Sequence, residues 1–408
     1  MNSTLPSLSI PDPLRGSELG SFAHDTVVRR LPRIVRQTLE ENDFPGRVVK
    51  SLQTLIAEIP NDPIRPLVDP EAPDEEAWQL YIQPHLGFNW LEVPWFFAEF
   101  YLYRRVLEAT RYFQSKEQGY LRDPYVRQKQ RGLESAKGAM EPLAAFVNKW
   151  VAAQDRTPKV LIHVLRIDLW GNKVDLSLWP AAEGDQAQLT LVEDDQEQIV
   201  LYDSRTVAEY LCSLKPGAAR VDLLLDNAGF ELVTDLCLTD YLLSTGLVHS
   251  VDLHPKACPV FVSDALMKDV EDALVFMERQ SSQEIKSVVK RIRNDLQQKR
   301  LIIQNDSFWT FPLALWEMPE NLRSDLGDSD LVISKGDAHY RRLLGDRHWL
   351  PTTPFADIMS YLSSPILALR ACKSEVICGL EPGQAEALQE KDPGWMTNGQ
   401  WGLIQFKR

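Results

Sequence analysis

The sequence lacks most of the features that announce a familiar function. Its five cysteines, Cys212, Cys237, Cys258, Cys372 and Cys378, are odd in number, scattered, and never spaced as a CxxC pair. That excludes a disulfide framework and a structural zinc site, and it points to a reducing compartment. The opening stretch MNSTLPSLSIPDPLRG has no basic segment followed by an apolar one, and no apolar run is long enough to span a bilayer. The expected location is cytoplasmic. Positive charge is also short: 44 Lys and Arg stand against 58 Asp and Glu, a formal net charge of -14. So acidic a chain is not built to neutralise nucleic acid or anionic membranes, and an anionic ligand has to be met by a local basic pocket. Neither a GxxxxGK[ST] nucleotide loop nor a GxSxG nucleophile elbow occurs.

What is present is an ordinary globular composition, 44% hydrophobic and 25% charged, in a chain of 408 residues, long enough for two packed units. Residues 1–20, rich in Ser and Pro, read as an extended arm. Residues 21–157 read as helical: Val27, Leu31, Ile34, Val35 and Leu39 recur at helical spacing, and Trp90 to Leu107 is densely apolar with Arg104-Arg105 near its end. Trp90 and Trp95 read as core. From residue 158 to 408 the texture changes to short apolar runs followed by helical patterns, which signals a parallel sheet with helices on its faces. The expected strands are Val221 to Leu225, Val248 to Leu253, Leu331 to Ser334 and Ile366 to Leu369, with Trp401 to Phe406 as an edge strand. The charged patch Glu193 to Glu197 reads as a solvated loop.

Ligands of open α/β sheets bind outside the carboxyl ends of the strands, so polar exits from apolar strands mark the site. The first exit is Asp226-Asn227, followed by Gly229 and Glu231. A carboxylate beside an amide supplies the oxygen ligands that hard divalent cations prefer, although either residue can simply cap the next helix. It is not the Asp-x-Asp of a phosphoaspartyl enzyme. The second is Ser263-Asp264 after Pro259-Val-Phe-Val, an N-cap by itself and a third oxygen ligand if it reaches the first two. The third and fourth, Lys335-Gly-Asp337-Ala-His339-Tyr340-Arg341-Arg342 and Arg370-Ala-Cys-Lys373, put cations at strand ends, as capture of a phosphate requires. His254, His339 and His348 read individually as packing or surface residues.

Together these segments resemble the damage-control phosphatase family, in particular its ARMT-like subfamily of metal-dependent phosphatases acting on small sugar phosphates. The likeness continues through Arg30-Leu-Pro-Arg-Ile, Pro94-Trp-Phe-Phe-Ala-Glu99, Leu169-Trp-Gly-Asn-Lys-Val-Asp-Leu-Ser-Leu and Asp306-Ser-Phe-Trp-Thr, in family order over nearly the whole chain. It implies a three-layer α/β/α sandwich with a mainly parallel sheet, preceded by a helical domain. It also implies a divalent ion, Mn, Mg, Co or Ni, on Asp226, Asn227 and Asp264. A small phosphorylated substrate would be contacted by Glu231, Asp337, His339, Tyr340, Arg341, Arg370 and Lys373. Two positions depart from the family pattern: His339 stands where Asn is usual, and Ala371 where Thr is usual.

The leading expectation is therefore hydrolysis of a phosphomonoester, with Asp226 and Asp264 as catalytic residues. The two departures suggest a second reading, ionisation of a phosphorylated or diphosphorylated substrate leading to elimination or cyclisation. Carboxyl methyl transfer from S-adenosylmethionine is a third reading that the resemblance raises, though no Gly-rich turn follows the first α/β strand. A non-catalytic binding protein is the fourth.

Overall fold

The computed structural model describes residues 5–171 and 198–408. Residues 1–4 of the arm, the Asn172-to-Leu178 part of the resembling segment and the patch Glu193 to Glu197 lie outside them. The described strands are β1 (Ile199–Tyr202), β2 (Arg220–Leu224), β3 (Ser250–His254), β4 (Leu301–Ile303), β5 (Leu331–Lys335), β6 (Ile366–Ala371) and β7 (Gly402–Lys407). They form one sheet in the order β1-β7-β6-β5-β2-β3-β4. Strands β2 to β6 are mutually parallel, whereas β7 runs antiparallel to β6 and carries β1 parallel beside it. The expectation of an edge strand at Trp401 to Phe406 is thus corrected: β7 is paired on both sides, and the edge belongs to β1. Pro259 to Val262, the apolar run ahead of Ser263-Asp264, leads into a turn, with φ of 47° at Phe261 and 64° at Val262.

The sheet is covered on both faces, which is why its strands read as nearly continuous apolar runs. Alternate residues serve different cores. Leu224, Val332, Ile366, Ala368 and Leu403 pack with the aromatic helix Trp95–Thr110 and the segment around Phe308 and Trp309. Val221, Leu223, Ile333, Leu367, Leu369 and Ile404 pack with the helices Lys137–Ala153, Pro158–Leu169, Phe230–Ser244 and Gln283–Gln297. The result is a three-layer α/β/α arrangement with a mostly parallel seven-stranded sheet.

Helix Trp95–Thr110 is buried along its whole length, as an all-round apolar helix must be. Its two arginines are neutralised inside the protein, Arg104 by Asp69 and Asp74 and Arg105 by Glu58 and Glu108. The arm ties this layer down: Leu14 N–H donates to the Asp346 carbonyl, and the Leu14 carbonyl accepts from Trp95 N–H.

Chain order sets the site. After β2 the chain moves outward to β3 and β4, returns to place β5 on the other side of β2, and continues outward to β6. The reversal lies between β2 and β5, the position at which open α/β sheets form a ligand crevice outside the carboxyl ends of their strands.

Candidate active site at the β2/β5 switch point

Asp226 and Asn227 leave β2 at that crevice, and Asp264 is brought to them by an isolated bridge between Asn227 and Asp264. Ala228 N–H donates to the Ser263 carbonyl and Ala265 N–H to the Asp226 carbonyl, both at 2.7 Å. Two segments far apart in sequence are thereby held in register by their backbones. Glu231 joins from the first turn of helix Phe230–Ser244, which Gly229, with φ of 84°, allows to start at once. Asn227 Nδ2 donates to Asp226 Oδ2 at 2.7 Å and to Glu231 Oε2 at 2.8 Å, while its Oδ1 accepts from the Ser263 hydroxyl.

From the opposite side, Gly336 begins the helix Gly336–Leu343 with φ of 79°. A Cβ there would lie 2.0 Å from Asp226 Oδ2, so glycine is what lets the β5 exit close against the carboxylate. Three acidic side chains, Asp226, Glu231 and Asp264, all less than a tenth exposed, therefore share one crevice. Burial, then the neighbouring Glu231 and Asp264 charges, push the Asp226 carboxyl well above the usual range. Burial also raises Asp264, against the pull of Lys256.

The cations near this cluster divide into committed and uncommitted ones. Lys335, expected as a phosphate-binding exit cation, is instead buried behind the site. Its Nζ meets Asp235 Oδ1 at 2.8 Å, Asp168 Oδ2 at 2.9 Å and Glu231 Oε1 at 3.9 Å. Arg341, expected to contact substrate, is consumed by Glu99 and Asp346 and lies 3.6 Å over the Trp95 ring. Tyr340 points its hydroxyl to Gln405 and Cys378 inside the core.

His339, likewise expected at the substrate, is 1% exposed and sits between the Leu225 carbonyl, Lys256 and the edge of Trp309. Burial, and then the Lys256 charge, hold its imidazole well below its ordinary pKa. Arg370 Nε pairs with Asp337 Oδ1 at 2.7 Å, and its remaining nitrogens bind the Ser374 and Val376 carbonyls. Asp337 also accepts from the Lys373 backbone N–H and the Ser374 hydroxyl, both at 3.0 Å. Burial would raise this carboxyl, but Arg370 and Arg341 bring it below its usual value.

Lys373 remains half-buried, its charge felt by Asp226, and makes no side-chain hydrogen bond or ion pair with another described residue. Of the expected residues, Asp226, Asn227, Asp264, Glu231 and Lys373 thus come together around the crevice. Asp337 stands on its β5 side, held by Arg370. His339, Tyr340 and Arg341 lie behind it in the interior.

Lys256 was not anticipated. It follows β3 by two residues, and the rule of polar strand exits applies to it as much as to His254. Its Nζ lies 2.9 Å from the Leu225 carbonyl and 3.2 Å from Asp264 Oδ2. His254, the last residue of β3, points inward to Asp222 at 2.7 Å.

Among the described residues no three His, Cys, Asp or Glu side chains form a metal cluster. The candidate set differs in using an amide as one donor. It still fits a hard divalent cation in chemistry: two carboxylates and an amide oxygen, with Asp264 Oδ2 buried and lacking a hydrogen bond of good geometry. The Asn227 amide now turns its Nδ2 toward the carboxylates. A half-turn would offer Oδ1 instead, with the Ser263 hydroxyl accepting where it now donates.

Comparison with known proteins gives the family. Residues 26–388 match the damage-control phosphatase ARMT1-like domain. The chain is 31% identical to damage-control phosphatase ARMT1 of Danio rerio over 97% of both chains. It is 29% identical to that of Homo sapiens, over 97% of this chain and 98% of the relative. Among solved structures, a DUF89 family protein from Pyrococcus horikoshii aligns with a TM-score of 0.49 at 12% identity, covering 95% of this chain and 98% of the other. The chain belongs to the damage-control phosphatase ARMT1-like domain family.

Proposed function

We propose that this protein is a metal-dependent phosphatase that hydrolyses a small phosphomonoester such as a sugar phosphate. The observation that carries the reading is the convergence of Asp226, Asn227 and Asp264 at the switch point, with an uncommitted lysine, Lys373, across from them. The relatives' name, damage-control phosphatase, supports the same reaction class.

Asp226, Asn227 and Asp264 would hold a divalent ion, Mn, Mg, Co or Ni. Such an ion, when bound, neutralises charge on the phosphoryl oxygens and favours attack by water. Lys373 supplies the mobile positive charge that meets the phosphate. The Asp226 carboxylate orients or deprotonates the attacking water. Asp337, locked as an acceptor by Arg370, or Glu231 holds a sugar hydroxyl. Arg341 has no part in phosphate binding, because Glu99 and Asp346 occupy it.

The burial of His339, one of the two departures that raised elimination or cyclisation, favours hydrolysis; Ala371, the other, is half-buried. No helix among the described residues is long and apolar enough to cross a membrane. None of the five cysteines is in a disulfide and four are buried, which suits a reducing cytoplasmic setting.

The test is phosphate release from a panel of sugar phosphates, with manganese or cobalt added. Asp226→Ala and Asp264→Ala should each lower the rate by on the order of a hundredfold or more. Activity that survives both substitutions, or thorough chelation, would sink the assignment.

A further inference from the structure

The buried Lys256–His339 contact has a chemistry of its own. Lys256 Nζ is 2.6 Å from His339 Nε2, 2.9 Å from the Leu225 carbonyl oxygen and 3.2 Å from Asp264 Oδ2. Both side chains are at most 2% exposed. An ammonium has three donors and no lone pair, so a nitrogen at 2.6 Å from it must accept. His339 Nε2 is then unprotonated, and the ring proton is on Nδ1. Two of the ammonium hydrogens are received by the imidazole and by the carbonyl of the residue before Asp226, and the charge pairs with the Asp264 carboxylate.

We propose that Lys256 is the positioning cation of the acidic crevice, and that His339, as a neutral Nδ1–H imidazole, aims it. The pair joins the β2 exit, which carries Asp226 and Asn227, to the turn that carries Asp264. It thereby sets the spacing of the oxygen donors from the side away from substrate. His339 is accordingly an orienting acceptor with no contact to the reacting atoms. An amide oxygen can do the same task, which makes Asn a conservative replacement here and leucine a disruptive one. This role rests on the proposed metal site for its purpose, while its geometry can be tested without metal or substrate.

The experiment is long-range nitrogen–proton correlation NMR of the imidazoles in the metal-free full chain at pH 7. The chain has seven histidines, and the His339 signals are assigned by their loss in His339→Asn. The wild type is expected to show Nδ1 protonated and Nε2 bare. In Lys256→Met the tautomer should reverse, because Nε2, 3.1 Å from the Leu225 carbonyl, is then free to donate to it. A merely space-filling lysine would leave the tautomer unchanged.

A protonated Nε2 in the wild type, or no reversal in a folded Lys256→Met, overturns the proposal. If Lys256→Met does not fold, the wild-type tautomer alone decides.

The consequence for the site is read by calorimetric titration with manganese alone. His339→Asn should keep the affinity within about threefold, and His339→Leu should weaken it about tenfold or more. Equal affinities in Asn and Leu variants would remove the positioning role. Absence of manganese binding in the wild type would instead count against the proposed metal site and leave the tautomer result standing.

Discussion

Asp337 and Asp226 follow the neighbouring strands β5 and β2, yet their surroundings drive them in opposite directions. Asp337 accepts from Arg370, from a hydroxyl and from a backbone N–H, and its carboxyl falls below the usual value although burial alone would raise it. Asp226 has, among the described residues, only the Asn227 amide as a side-chain donor, shares its crevice with Glu231 and Asp264, and rises well above that value. The same residue type therefore serves as a fixed ionised anchor in one case and as surplus negative charge in the other. Surplus buried charge costs folding free energy unless an ion or ligand offsets it, whereas a balanced pair needs nothing further. Opposed shifts within one cleft are also how acid–base roles become separable.

The balanced side should break most expensively. Arg370→Met leaves Asp337 buried without its cation and the Ser374 and Val376 carbonyls without their donor, so the loss should be about 3–5 kcal/mol in urea unfolding. An effect below about 1 kcal/mol would mean that Asp337 is solvated and not anchored. Next in size is Gly336→Ala. A left-handed φ costs an alanine about 1 kcal/mol, and the collision with Asp226 adds about 1–3 kcal/mol of overpacking. Activity should fall with it, because the side chain that must move is Asp226 itself.

The surplus side should respond with the opposite sign. In the presence of chelator, Asp226→Asn removes a carboxylate crowded by two others, and the protein should gain about 1 kcal/mol of stability while phosphate release is lost. Thermal unfolding with and without EDTA, beside the activity assay, checks both halves. A variant less stable than the wild type in chelator would show that Asp226 is structural.

This contrast also marks the limit of what the sequence could tell. Apolar runs ending in polar residues were enough to locate β2, β3, β5, β6 and β7, because strands covered on both faces leave that pattern. The strands β1 and β4, of four and three residues, are too short to stand out. The position of β7 depended on β1, whose pairing the local pattern does not encode. Asp226, Asn227 and Lys373 were legible as strand exits, and Asp264 as the polar end of an apolar run that leads into a turn.

The fates of Lys335 and Arg341 were not legible. A sequence shows that a residue carries charge, but its partner is tertiary: Glu99 is 242 residues from Arg341, and Asp168 is 167 residues from Lys335. Lys256 was missed for a simpler reason. One residue of irregular backbone, Pro255, separates it from the end of β3, and attention to the last strand residue favoured His254.

The smallest expected effect concerns pH. Because the Asp337 carboxyl is depressed in the folded protein, its contribution is fully present above the ordinary carboxylate value of 3.8. Below that value the unfolded chain takes up its proton first, and the contribution fades as pH falls through the lower folded value. At neutral pH, Asp337→Asn should therefore be less stable than the wild type, and the gap should narrow below about pH 4. Urea unfolding of both proteins from pH 7 downward measures the gap directly. A constant gap would mean that the substitution acts through shape or hydrogen-bond count, and the contrast with Asp226 would then be one of packing and not of charge.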